Sequence, residues 1–132
     1  MASPKNEVLV DANVILRYLL KDHEEFFRKA EEIFDKAFSG KVKVEILQSV
    51  LAEVVYVLEK LYKVKREEIA GVLCELLKVK TVSIKDKDVV LQALDLYHRK
   101  NMDFIGALLC TYGKKKNVLS FDKDVQKCLK VN

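Results

Sequence analysis

Four carboxylates in this sequence stand where an apolar run ends or begins. Asp11 separates Val8-Leu9-Val10 from Val14-Ile15-Leu16. An ionised carboxylate buried without a partner costs several kcal/mol, so Asp11 either caps the helix that follows it or holds a cation. Glu53 sits in SVLAEVVYVLEKLY, where its helical neighbours are Ser49, Val50 and Val57. That spacing predicts an inward-looking face and a need for a cation or hydrogen-bond donors. Glu59, beside Lys60 and Lys63, reads as solvated. Asp103 precedes the apolar stretch FIGALLCTY, at a position where it can cap a helix or face a pocket. Asp122 ends the run Val118-Leu119-Ser120-Phe121, with Asp124 two residues on. One of this pair is expected to cap the last helix, and Asp122, nearer the strand end, to face the cleft.

Carboxylates converging on one site raise each other's pKa unless a divalent ion neutralises them. Hard oxygen donors suit Mg²⁺ or Mn²⁺, with water and substrate phosphate completing the shell. Phosphodiester hydrolysis fits such a site. One metal lowers the pKa of an attacking water, and a second, about 4 Å away, steadies the leaving oxygen. Competing chemistries find less support. His23 and His98 lack Cys or His partners at zinc spacing. There is no glycine-rich phosphate loop, and no serine lies in a nucleophile elbow. Phosphoryl transfer through Asp11 as nucleophile is a further class, but Asn13 replaces the second aspartate such a motif uses.

The elements that must position these acids can be read from periodicity. Short β-branched runs predict strands at Glu7–Val10, Val42–Leu47, Thr81–Ile84 and Asn117–Phe121. Helical spacing follows Asp11 and recurs over His23–Phe38, Ser49–Leu61, Arg66–Leu77, Lys87–Lys100, Asp103–Lys115 and Lys123–Leu129. Single strands separated by helices imply parallel pairing with crossover helices, hence a three-layer α/β/α sandwich with a mostly parallel central sheet. Ligands gather at the carboxyl ends of such strands, where Asp11 and Asp122 would both emerge. Asp103, Gly106, Cys110 and Gly113 share one small-residue face, which could approach another backbone closely.

Composition sets the outer bounds. The 132 residues are half hydrophobic and one-third charged, with one Pro and four Gly, so one domain over residues 1–132 is expected. A net charge of +4 is compatible with an RNA partner and no more than that. Cys74, Cys110 and Cys128 lie far apart in apolar helical patterns and are expected to be free thiols. No long apolar run or signal segment is visible, which points to a cytoplasmic protein with no membrane association.

With these residues assembled, the chain resembles the PIN-domain superfamily, and within it the small VapC-type toxins of prokaryotic toxin–antitoxin pairs. LVDANVILRYLL resembles the family's first motif, in which Asp11 would be a metal ligand oriented by Asn13. SVLAEVVYVLEK resembles the second, with Glu53 as the acid. SFDKDV resembles the closing motif, with Asp122 acidic and Ser120 supporting. The family's remaining acid usually stands directly before an Ala-Leu pair, a position held here by Gly106 in DFIGALL. Asp103, one turn earlier, is the nearby substitute. The resemblance implies a Mg²⁺- or Mn²⁺-dependent endoribonuclease with an RNA substrate, an antitoxin protein threading over the acidic cleft, and a homodimer. It also leaves open a degenerate domain that binds RNA or protein without cutting. Arg17 and the run Lys114-Lys115-Lys116 are candidate phosphate guides at the rim, although a solvated helix end accounts for the lysines as well.

Overall fold

The computed structural model describes residues 6–132. The stretch read as running without a leader into the first strand, residues 1–5, lies outside the described residues. Three strands, β1 (Glu7–Val10), β2 (Lys43–Ile46) and β3 (Val82–Ser83), form one sheet in the order β1-β2-β3 with every pair parallel. Parallel neighbours need crossovers, and helices supply them: α1 (Ala12–Leu20) and α2 (Glu24–Phe38) before β2, then α3 (Gln48–Tyr56) and α4 (Arg66–Lys78) before β3. After β3 come α5 (Lys87–Arg99), α6 (Phe104–Tyr112) and α7 (Lys123–Val131). The chain thus adopts the expected α/β architecture around a parallel sheet.

Side chains alternate along the strands. Val10, Val44, Ile46 and Val82 are buried, while Leu9, Lys43 and Glu45 are exposed. The inward residues join Ile15, Phe34, Leu51, Leu73 and Tyr97 in one continuous apolar core. Four turns require a left-handed backbone from non-glycine residues, at Lys21, Lys63, Asp86 and Asn101. Among the described residues no helix is long and apolar enough to cross a membrane.

Two expectations fail. Residues 117–121 form no strand: no backbone-to-backbone hydrogen bond joins them to another segment, and Leu119 and Phe121 are 85% and 87% exposed. The alternating pattern does set an extended conformation, with Val118 and Ser120 half-buried, but it finds no neighbouring edge. Among the described residues the outer edge of β1 is correspondingly unpaired. The cysteines are also not all free. Cys110 on α6 and Cys128 on α7 form a disulfide with Cα atoms 5.9 Å apart, and only Cys74 is a free thiol. These two residues are 18 positions apart in sequence, and the packing of α6 on α7 brings them together.

Candidate active site

The carboxyl end of the sheet positions the first of the acids. The register pairs Val10 with Ile46, so Asp11 and Leu47 leave the sheet side by side, the first into α1 and the second into α3. Asp11 caps α1 by accepting the Val14 N–H at Oδ1 (3.1 Å), and its Oδ2 makes no bond among the described residues. A cap of this kind fixes the carboxylate's direction while leaving half of it bare for a cation. Asn13, in the first turn of α1, is exposed and lines a groove with Asp11. This groove, about 570 Å³, lies along the free edge of β1 and is also lined by Leu9, Arg17, Phe26 and Lys29.

Glu53 lies in the second turn of α3 and is exposed, contrary to the inward face its neighbours suggested. It has no ion-pair or hydrogen-bond partner among the described residues. The true inward acid is Glu59. A π-turn over Val57–Leu61 follows α3, closed by the Tyr62 N–H on the Val57 carbonyl. The extra residue in that turn rotates Glu59 away from solvent. There it accepts a hydrogen bond from the Tyr97 hydroxyl (2.5 Å) and pairs with Lys60 (3.1 Å) and Arg66 (3.4 Å). Burial pushes the Glu59 carboxyl up, but the bonds from Tyr97 and Lys60 and the charge of Arg66 outweigh it and hold it below its ordinary value. The same burial, with Glu59 as acceptor, raises Tyr97.

Arg66 reaches further. It lies over the Tyr97 ring, 4.4 Å from the centroid, and donates from Nη1 to the carbonyls of Tyr97 (2.9 Å) and Met102 (2.6 Å). The Met102 carbonyl is the last before Asp103. Arg66 therefore pins the turn, with Asn101 at φ 53°, that leads into α6. Sequence spacing gave no sign of this role beyond an arginine at the head of a helix. Asp103 occupies the cap position of α6 but accepts no capping bond, and its carboxylate is exposed.

At α7 the two expected roles are reversed. Asp122 is the cap, its Oδ1 accepting the Asp124 and Val125 N–H groups (2.9 and 3.1 Å), with Oδ2 bare among the described residues. Ser120 accepts the Asp122 N–H at its hydroxyl (3.1 Å), so the supporting serine does hold the aspartate's backbone. Asp124 is exposed and lines a separate groove beside the disulfide. Because residues 117–121 are unpaired, α7 rather than a strand end delivers Asp122.

The small-residue face of α6 receives α7. A Cβ on Gly106 would lie 3.2 Å from Val125 Cγ2, and one on Gly113 would lie 2.2 Å from Leu129 Cδ2. Between them runs the Cys110–Cys128 bond, and Asn132 Nδ2 donates to the Cys110 carbonyl (2.8 Å). Partners ascend together along both helices, so α6 and α7 run parallel. Asp103 and Asp122 each stand three residues before the first contact, Gly106 with Val125, and share that end.

The rim cations are largely committed. Arg17 pairs with Asp22 (3.0 Å) and reaches the Tyr62 hydroxyl (3.4 Å), while its buried Nε has no partner among the described residues. Lys114 donates to Gln92, Lys115 pairs with Asp88, and Lys116 lies over Tyr112, which agrees with a solvated helix end. His23 caps α2 through Nδ1, accepting the Phe26 N–H, and so serves structure.

The donor set fits a hard divalent cation in kind: two half-used aspartates and two acids without a partner among the described residues, all exposed. Among the described residues no three His, Cys, Asp or Glu side chains are grouped closely enough to hold a metal ion. The acids instead ride on a succession of packed helices, α1 on α3, α3 on α6 and α6 on α7.

Comparison with known proteins identifies the family. The sequence model of the PIN domain matches residues 8–128. A curated relative, "VapC ribonuclease" of Aquifex aeolicus (strain VF5), is 30% identical over 122 residues, covering 90% of each chain. No solved structure matches the chain. The family model and this relative each cover most of the sequence: this chain belongs to the PIN-domain family.

Proposed function

We propose that the chain is an endoribonuclease dependent on Mg²⁺ or Mn²⁺, and the toxin of a toxin–antitoxin pair. The observation that carries this reading is the placement of Asp11, Glu53, Asp103 and Asp122 on successively packed helices, three of them at helix N-termini, in a family whose named relative here is a VapC ribonuclease. The four acids would hold the cation. When bound, it would supply an activated water and charge neutralisation for phosphodiester hydrolysis. The chain's own residues orient the oxygens: the Val14 N–H fixes Asp11, and the Asp124 and Val125 N–H groups with Ser120 fix Asp122.

A second reading is a PIN domain that binds RNA or an antitoxin protein without cutting. Gly106 favours it, since it stands where the family's remaining acid is expected. Incubation of a structured RNA pool with Mg²⁺ or Mn²⁺ separates the two. The nuclease reading expects cleavage that disappears with EDTA and falls by at least about 10²-fold in Asp11→Asn. RNA binding without cleavage by the folded protein under either metal would move the conclusion to the second reading.

A further inference from the structure

The parallel packing of α6 and α7 is a zipper with three teeth: Gly106 against Val125, Cys110 bonded to Cys128, and Gly113 against Leu129. Sliding α7 along α6 by one turn would separate Asp122 from Asp103, because both stand at the open end of this zipper. Apart from these teeth, α7 is held by the Asn132 bond to the Cys110 carbonyl. Val125 is its one buried residue, and residues 117–121, which lead into it, pair with no strand. The covalent tooth is therefore the strongest tie between Asp122 and the rest of the acids.

That tie is accessible from the Cys128 side alone, Cys110 being fully buried. Cys128 is half-buried, and both cysteines line a groove of about 590 Å³ together with Lys100, Lys114 and Lys127. Three lysines against one carboxylate, Asp124, at its margin leave a positive balance that favours the approach of an anionic thiolate.

We infer that the Cys110–Cys128 disulfide is a cleavable positioning staple, which keeps Asp122 in register with Asp103 and makes RNA cleavage depend on thiol state. This rests on the nuclease reading above. A small dithiol breaks the staple. One thiolate attacks Cys128 Sγ, giving a mixed disulfide and releasing Cys110 as thiolate; the reagent's second thiolate then displaces Cys128 and closes the reagent's own disulfide. Two electrons and two protons pass from the dithiol to the protein, which gains two thiols. A low-molecular-weight disulfide reverses the exchange. Cys110 and Cys128 are positioning residues, acting through Asp122.

The test compares oxidised protein, dithiol-treated protein, Cys110→Ser/Cys128→Ser and Cys74→Ser, at a temperature where circular dichroism shows all four folded. Intact mass reports the gain of two hydrogens on reduction. Hydrogen exchange of the Asp124 and Val125 amides reports the Asp122 cap without RNA or metal. The expected result for reduced protein and the double variant is a fall in kcat of about tenfold or more with KM for RNA unchanged, together with loss of protection at both amides. Cys74→Ser should behave as the parent. Equal kcat and equal protection in oxidised and reduced forms would overturn the inference, as would two free thiols at Cys110 and Cys128 in air-equilibrated folded protein. If no form cuts RNA, the nuclease reading falls by itself, and the exchange measurement still decides whether the staple positions Asp122.

Discussion

Glu59 is the acid whose surroundings are most specific, and it lies outside the proposed metal set. Its folded-state pKa is held below the ordinary carboxylate value, with Tyr97, Lys60 and Arg66 as partners. A depressed carboxylate contributes stability that is present above its unfolded pKa and is lost as the pH falls through the folded one. Denaturant melts at pH 7 and at about pH 3 should show the parent losing stability over that interval. Glu59→Gln should cost about 1–3 kcal/mol at neutral pH and lose less on acidification. An unchanged acid limb in the variant would remove Glu59 from the account. The residue was misread from sequence because Lys60 and Lys63 make it look solvated. The π-turn that rotates it inward arises from tertiary fit, which local spacing does not register. Asp11 and Asp122 were easier, since a carboxylate closing an apolar run signals a special position whichever role it takes.

Between elements, the α6–α7 contact gives a clean contrast in glycine. Gly71, on the exposed side of α4, has nothing within 4 Å of where a Cβ would lie, so Gly71→Ala should gain up to about 1 kcal/mol in helix propensity. At Gly113 the same Cβ would meet Leu129 Cδ2 at 2.2 Å and the Cys110 carbonyl at 3.1 Å, and Gly113→Ala should lose about 1–3 kcal/mol. Thermal melts of the two variants should therefore shift in opposite directions, and a rise for both would mean that α7 yields easily. The receiving face was legible in the spacing of Gly106, Cys110 and Gly113, and most helices and three strands lie within a residue or two of where periodicity set them. What occupies that face was not legible, nor was the cysteine pairing, because both depend on the register of two helices joined by an irregular segment. The expected strand at Asn117–Phe121 failed for a related reason. Alternation specifies an extended backbone, whereas a strand also requires a partner edge, which is a long-range matter.

Across the whole molecule, the sheet is small, and among the described residues no strand pairs with the outer edge of β1. Leu9 is 59% exposed on that strand, and the groove beside it runs on to Asp11. Exposed strand edges invite a second chain to add to them, and proteins commonly deter this with charge at the edge. β1 is only four residues long and is bracketed by Glu7 and Asp11. The carboxylate at the strand's end therefore acts as a gatekeeper against aggregation as well as a candidate ligand. Neutralising it removes one of the edge's two guards, so Asp11→Asn should show more concentration-dependent light scattering than the parent, and Glu7→Gln should show the same tendency with cleavage retained. Loss of activity in Asp11→Asn is then a statement about chemistry only for the monodisperse fraction, and the Glu7→Gln protein supplies the colloidal control.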